Sequence, residues 1–377
     1  MELAFRNARV VTGDDCFVGS VLVRDGKVVS VDSGLSCAGE DMEGDVLMPG
    51  VIDLHTDNLE KHFFPRPNIG WDPVSAAVTH DGCCLSVGVT TVFDSLSIGS
   101  FNSAASRNHG NLTRLADGLA QAEASGLLKG DHKVHWRCET PADDLPQELE
   151  GFAKHPMTAL FSLMDHTPGQ RQYRNLEKYL AAWRADGMTE SAVDQRMAEI
   201  RDRQARNADR HRRLVSEVAA AYGAPLASHD DEDVAHIDAA ADLGATVAEF
   251  PVTLEAARQA RERGMVIVMG GPNLIRGGSY SGNVPASELA REGLLDAFAS
   301  DYVPRSLIEC AFALTRPEFD WSLPRAVATV TSGPARAARL SDRGVIAAGR
   351  RADLLRVRTR GDLPVVQEVW VEGLRRA

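Results

Sequence analysis

Cysteine is scarce in this chain, and its few copies are not paired along the sequence. The six, Cys16, Cys37, Cys83, Cys84, Cys138 and Cys310, form no CxxC, so a disulfide framework is not indicated and buried, reduced thiols in a cytoplasm are expected. No uninterrupted apolar run reaches the roughly 18–20 residues that a bilayer span requires. The opening residues, MELAFRNARVVTGDD, lack the cationic stretch and apolar core of a secretory leader. Positive charge is also in deficit, with 41 Lys and Arg against 53 Asp and Glu and a net charge of −12. That balance gives no general attraction to nucleic acid or anionic lipid, so neither is an expected partner, although a locally basic pocket is compatible with it.

What is present is ordinary for a globular protein: 44% hydrophobic and 25% charged residues. At roughly 150 residues per domain, 377 residues suggest two domains, or one barrel with an appendage. Both termini read as short strands. Val21-Leu22-Val23 and Lys27 to Val31 flank Arg24-Asp25-Gly26, where Asp-Gly signals a hairpin. Val365 to Val371 has the same texture at the far end. The termini, 1–48 and 340–377, are therefore expected to pair into one small β-sandwich domain. Between them, apolar runs recur at 51–54, 89–93, 133–136, 158–164, 224–227, 245–250, 265–269 and 297–299. Stretches of helical periodicity, such as 105–127, 253–263 and 286–294, separate them. Eight strands alternating with helices over 49–339 predict an α/β fold, a (β/α)8 TIM barrel. An open doubly wound sheet is the alternative, but no GxGxxG follows the first strand. The Arg-, Glu- and Ala-rich stretch 170–218 reads as one or two long helices laid over the barrel, with the option of overhanging its mouth.

Chemistry concentrates where the apolar runs end. In Val51-Ile52-Asp53-Leu54-His55-Thr56-Asp57, alternate residues share a face, so His55 and Asp57 present an imidazole and a carboxylate together. Such a pair suits a borderline divalent metal, although taken alone it is more often a hydrogen-bonded strand end. The pattern recurs. Glu139 closes one run, Asp165-His166 another, His229 a third just before Asp230-Asp231, and Asp301 the last just before Tyr302. Metal-competent residues at the same ends of successive strands point to a common rim.

Leu47-Met48-Pro49-Gly50-Val51-Ile52-Asp53-Leu54-His55 resembles the opening signature of the amidohydrolase superfamily. Gly344-Val345-Ile346 through Ala352-Asp353-Leu354 resembles its closing one, so the likeness spans nearly the whole chain. That superfamily normally opens with His-x-His, where this chain has Asp57, and its usual carbamylated lysine is not evident. Both departures, with the long insert, are similar to one branch, the ribose 5-triphosphate diphosphatases of the carbon–phosphorus lyase pathway. The resemblance implies divalent metal, two ions of Zn, Mn or Fe, held by His55, Asp57, Glu139, His166 and His229. Glu139 would bridge the ions, with Asp165 a rival to His166, and Asp301 would be the catalytic proton acceptor. The implied reaction converts α-D-ribose 1-methylphosphonate 5-triphosphate to the 5-phosphate and pyrophosphate, and a homodimer is compatible with the fold.

Three polar segments support that branch. They are 58–67, with Lys61, His62 and Arg66; 106–112, with Arg107; and 271–284, with Asn273, Arg276, Gly277, Ser279 and Asn283. The last has a physical reading of its own. Glycines let backbone N–H groups converge on an anion while Arg276, Ser279 and Asn283 add donors. All nine residues are candidate contacts to a small phosphorylated substrate. His80-Asp81 and His109 also resemble family positions, but His80 falls on a predicted helix and a structural role is favoured there. His132, His155, His211 and His236 are read as structural. Two other readings stay open: an amide-bond hydrolase, such as an N-acyl or acetyl-sugar phosphate deacetylase, and a catalytically inactive assembly protein.

Overall fold

A computed structural model describes residues 1–34, 38–66, 69–99, 109–279 and 281–377. The chain enters through β1 (Glu2–Val11), β2 (Cys16–Arg24) and β3 (Lys27–Ser33), then β4 (Glu40–Asp41) and β5 (Val46–Pro49). Asp25 and Gly26 both adopt left-handed backbone, with φ of 50° and 77°. The Asp-Gly pair thus forms the two-residue turn whose twist matches its flanking strands.

Gly50 separates β5 from the barrel. A Cβ there would lie 2.1 Å from Thr90 Oγ1, so the position has room only for glycine. The barrel strands follow: β6 (Val51–Thr56), β7 (Val89–Ile98), β8 (Asp131–Glu139), β9 (Thr158–Met164), β10 (Leu226–His229), β11 (Val247–Glu249), β12 (Val266–Gly270) and β13 (Ala297–Ala299). Each pairs in parallel with the next. The cylinder closes at its upper end, where Asp57 N donates to Asp301 O and Asp301 N to His55 O, both at 2.8 Å. Lower down, Ile52 N and Phe298 N bond Val330 O and Thr329 O at 2.9 and 2.8 Å, so that segment fills the seam. Ile52, Leu54, Phe93, Leu160, Ala227, Val247, Val268 and Ala297 meet in one buried cluster inside the cylinder. The alternate faces, including Val92, Val134, Trp136 and Phe161, pack against the helices outside, as a parallel barrel requires.

The first helices are α1 (Asn58–Phe63), α2 (Pro73–Ser86), α3 (His109–Ala124) and α4 (Leu145–Phe152). The insert resolves into two helices, α5 (Leu176–Ala185) and the 32-residue α6 (Glu190–Ala221). Its leading turn, Arg171–Tyr173, stays at the barrel mouth: Arg171 Nη1 donates to His229 O at 2.7 Å and reaches Asp231 Oδ1 at 2.6 Å.

The chain ends in β14 (Leu354–Arg360), β15 (Leu363–Val371) and β16 (Leu374–Arg375). β14 pairs with β5, joining both termini in one mostly antiparallel sheet, ordered β16-β15-β14-β5-β1-β2-β3 with β4 beside β1. Flat, β1 and β15 would stand about 14 Å apart at the usual strand spacing. Instead the Phe5 and Trp370 rings meet with centroids 4.7 Å apart, so the sheet curls over its own core and gives the sandwich-like unit. Among the described residues no helix is long and apolar enough to cross a membrane. Of the described cysteines, Cys84, Cys138 and Cys310 are buried, whereas Cys83 is exposed; all are free thiols.

Candidate active site

A local irregularity aims the first ligand pair. Plain alternation would send Leu54 and His55 to opposite faces. The β6–β7 register shifts between Asp53 and Thr56, a bulge of the kind that re-aims side chains beside active sites. Leu54 therefore packs in the barrel interior while His55 also points inward, its Nδ1 2.9 Å from Glu249 Oε1. His135, Arg137 and Glu139, alternate residues of β8, share the inward face. His135 lies deepest, with Nδ1 3.0 Å from Leu54 O and Nε2 2.9 Å from Ser162 Oγ. Its burial pushes the imidazole down to about 3, so it is a neutral floor for the site.

Above that floor the titratable groups fall into two halves. Ligand atoms of His55, Asp57 and Asp301 lie within 4.8 Å of one another, and so do those of His166, His229 and Asp230. His55 Nε2 is 3.5 Å from Asp57 Oδ1, and His229 Nε2 is 3.3 Å from Asp230 Oδ2. Glu249 joins the halves beneath, through His229 Nδ1 at 2.8 Å as well as His55. Glu139 meets His166 Nδ1 directly. Arg137 donates through Nη1 to both oxygens of Asp57, at 2.6 and 2.8 Å. Five carboxylates thus face one guanidinium, a strong excess of negative charge. The set fits divalent cations on a specific ground: Glu139 Oε2 and Asp230 Oδ2 are buried without a hydrogen-bond partner, a costly state unless a cation satisfies them. Burial opposes charge on His55, yet the Glu249 carboxylate holds its proton up to about 10. Burial also raises Asp301 above the usual carboxylate range, partly offset by His55, with the Asp57 charge adding to the rise.

Beside Asp230 and Asp301 opens a cavity of about 340 Å³, lined among others by Gln172, Arg276, Ser279, Asn283 and Tyr302. Arg276 Nη1 lies 3.2 Å from Tyr302 Oη, and Lys61 Nζ donates to Tyr302 O at 2.9 Å. Two cations, one after the seventh barrel strand and one after the first, therefore meet at the residue after Asp301.

The sequence profile of the Amidohydrolase family matches residues 152–373. Across 377 residues, 99% of this chain and 100% of its relative, the sequence is 38% identical to the alpha-D-ribose 1-methylphosphonate 5-triphosphate diphosphatase of Escherichia coli (strain K12). The chain belongs to the amidohydrolase family. Solved structures share the fold. N-isopropylammelide isopropylaminohydrolase from Burkholderia multivorans superposes with a TM-score of 0.65 at 18% identity, covering 100% of this chain and 98% of that one. N-acetyl-D-glucosamine-6-phosphate deacetylase from Mycobacterium smegmatis does so at 0.63 and 16%, covering 99% of each.

In this amidohydrolase the strand count is now explicit: Glu139 ends the third barrel strand, and His166 follows the fourth. Asp165 turns away, accepting from Thr167 N, Gln204 and Arg212 at 3.2, 3.3 and 2.9 Å, so His166 is the residue that faces the cluster. Asn273 is committed to its own loop, donating to Val284 O at 3.2 Å and accepting from Ala286 N at 2.8 Å. The segment read as one glycine-rich loop begins as a helical turn, Gly271–Ile275, and Gly277 and Gly278 follow with positive φ. His62 does not reach the cavity lining; it sits on α1 with its ring 5.6 Å from that of His80. Arg66 is exposed in the next turn, bridged to Ile69. Arg107 lies outside the described residues. His109 pairs with Glu148 at 3.1 Å. Three residues at the centre escaped the sequence reading: Arg137, Asp230 and Glu249. Glu249 carried the same signal as the others, a carboxylate closing the sixth apolar run.

Proposed function

We propose that this amidohydrolase is a metal-dependent hydrolase that converts α-D-ribose 1-methylphosphonate 5-triphosphate to the 5-phosphate and pyrophosphate. The full-length likeness to the Escherichia coli diphosphatase supports the substrate. The observation that carries the reading is the union of a His–carboxylate cluster with a cavity lined by Arg276 and Tyr302, the latter held from behind by Lys61. In this reading the barrel, 49–339, is the catalytic unit and the termini, 1–48 and 340–377, form the appended β domain.

His55, Asp57, Glu139, His166 and His229, with Asp230, would hold two divalent ions, Zn, Mn or Fe. Such ions lower the pKa of water towards about 7 and neutralise phosphoryl oxygens. The residues of this chain do the rest. Asp301, beside Asp57 and His55, accepts the proton as the water oxygen bonds to the phosphorus nearest the ribose. The bond from that phosphorus to the bridging oxygen breaks, and pyrophosphate leaves. Arg276 and Lys61, fixed through Tyr302, stand where charge builds on the leaving group, the place at which preorganised donors act most strongly. The buried floor at His135 keeps bulk water out from below.

The test is stoichiometric. The purified enzyme, given the ribose 5-triphosphate, should release one pyrophosphate per 5-phosphate formed, and chelation should stop it. Release of orthophosphate in steps, or turnover of acyl amides instead, would refute the assignment. A well-folded preparation free of metal would favour the inactive assembly protein.

A further inference from the structure

Glu249 has no part in the chemistry above, yet it is among the most buried charges in the molecule, 1% exposed at the end of β11. Its two oxygens serve two different rings. Oε1 lies 2.9 Å from Nδ1 of His55, which comes from β6, and Oε2 lies 2.8 Å from Nδ1 of His229, from the adjacent β10. The first contact spans the cylinder from the sixth strand to the first. Each ring then turns its other nitrogen to a different half of the cluster: His55 Nε2 towards Asp57, and His229 Nε2 towards Asp230.

A carboxylate on Nδ1 keeps that nitrogen protonated and leaves Nε2 with a free lone pair, which is the form a metal needs. One residue does this here for two imidazoles that belong to separate halves. We infer that Glu249 is a positioning residue that sets the tautomer and orientation of His55 and His229 together, so both cation positions depend on it. The inference rests on the reading of the cluster as a metal centre. The rival role, a direct ligand of one ion, is open geometrically because Glu249, His55 and His229 also group within 4.8 Å. The two differ in how many cation positions suffer when Glu249 is changed.

The experiment is a titration of metal-free protein with Mn(II) against a chromophoric chelator, for wild type, Glu249→Gln and Asp57→Asn. Glutamine offers one acceptor oxygen and cannot serve two N–H donors. Wild type should bind in two steps. Glu249→Gln should weaken both steps, by roughly 10–100-fold each as for other residues behind metal ligands, whereas Asp57→Asn should weaken chiefly one. Long-range ¹H–¹⁵N spectra of the Zn(II)-loaded proteins give a readout independent of activity: two imidazoles protonated at Nδ1 alone in wild type, at least one of them altered in Glu249→Gln. Should Glu249→Gln not fold, Glu249→Asp, too short to span both rings, carries the same expectations. Unchanged affinities, or the loss of a single step, would overturn the inference while leaving the metal centre intact. A wild type that binds no Mn(II) would instead remove the metal centre, and the inference with it.

Discussion

Outside the barrel, between α2 and the β7–β8 wall, lies a buried charge network whose stability effect can be worked out. Asp94 on β7 stands 2.9 Å from His80 Nε2 and 2.7 Å from His132 Nδ1, and His132 Nε2 reaches Asp81 at 3.3 Å. None of the four is more than 2–3% exposed. Asp94→Asn keeps the volume and removes the charge, leaving two imidazoles around a neutral amide. Burial opposes charge on His132, yet Asp94 and Asp81 raise it from 6.5 to about 10. Asp94→Asn removes one of the two charges that hold that proton and leaves the buried imidazole short of a counter-charge. Breaking a buried ion pair from one side costs about 3–5 kcal/mol elsewhere. At about 2.1 cal/mol/K of unfolding entropy per residue, a 377-residue chain should lose about 4–6 °C of melting temperature, read by calorimetry at pH 6 with metal held constant. The pH dependence has a definite sign. His132 is raised, so its contribution is complete below about 6.5 and fades as pH climbs towards about 10. Asp94, although buried, is lowered to about 2 by His132 and His80, so its contribution is complete above about 4 and fades as pH falls towards 2. The gap between wild type and Asp94→Asn should therefore be widest between about pH 4 and 6.5. Equal melting temperatures across that window would refute the reasoning.

Three further changes probe the site and its frame. Asp301→Asn should keep its metal and lose turnover by roughly 10²–10⁴-fold, the usual worth of a positioned proton acceptor; a near-normal kcat would remove Asp301 from the reaction. Arg276→Ala should lower kcat/KM for the triphosphate by roughly 10–100-fold, the worth of charged hydrogen bonds, with metal content unchanged; unaltered kinetics would make Arg276 structural. Gly50→Ala should cost about 1–3 kcal/mol or more in denaturant unfolding, because its Cβ would meet the buried Thr90 at 2.1 Å; a wild-type midpoint would mean the junction yields.

Much of the scaffold was legible because short apolar runs bounded by helical periods admit few arrangements. All eight runs between 51 and 299 became the barrel strands, in order. Asp25-Gly26 became the hairpin turn because Asp and Gly tolerate left-handed backbone. Ligand candidates at the run ends, His55, Asp57, Glu139, His166, His229 and Asp301, meet at one rim. What was not legible depends on where elements dock. His62 reads as one more polar residue of a loop, but its position on α1 turns it towards α2 and His80. Arg137 sits between Trp136 and Cys138 and looks like a flank until β8 is rolled into a cylinder, where its parity matches Glu139. The spacing of Asn273 from Val284 and Ala286 gives no hint that its amide ties the loop shut.

Asp230 shows the deeper reason, since a period of two forbids His229 and Asp230 from sharing a face. The structure breaks that period at a chosen place. Asp230, Phe250 and Asp301, each following the last residues of a barrel strand, have φ of 53°, 57° and 57°. Left-handed backbone costs such residues about 1–3 kcal/mol each, and it persists only where the surroundings fix it. Here the fixing is the same three times: Asp230 N bonds Glu249 O at 2.9 Å, Phe250 N bonds Val268 O at 2.8 Å, and Asp301 N bonds His55 O at 2.8 Å. Each N–H is thus held by the neighbouring strand while the kink swings its side chain over the mouth. Consecutive residues can then act together. His229 and Asp230 face one half of the cluster, and Glu249 holds both imidazoles while the Phe250 ring packs 5.4 and 5.2 Å from them. The strain at these three strand ends is what lets consecutive residues of alternating strands crowd one rim with imidazoles and carboxylates.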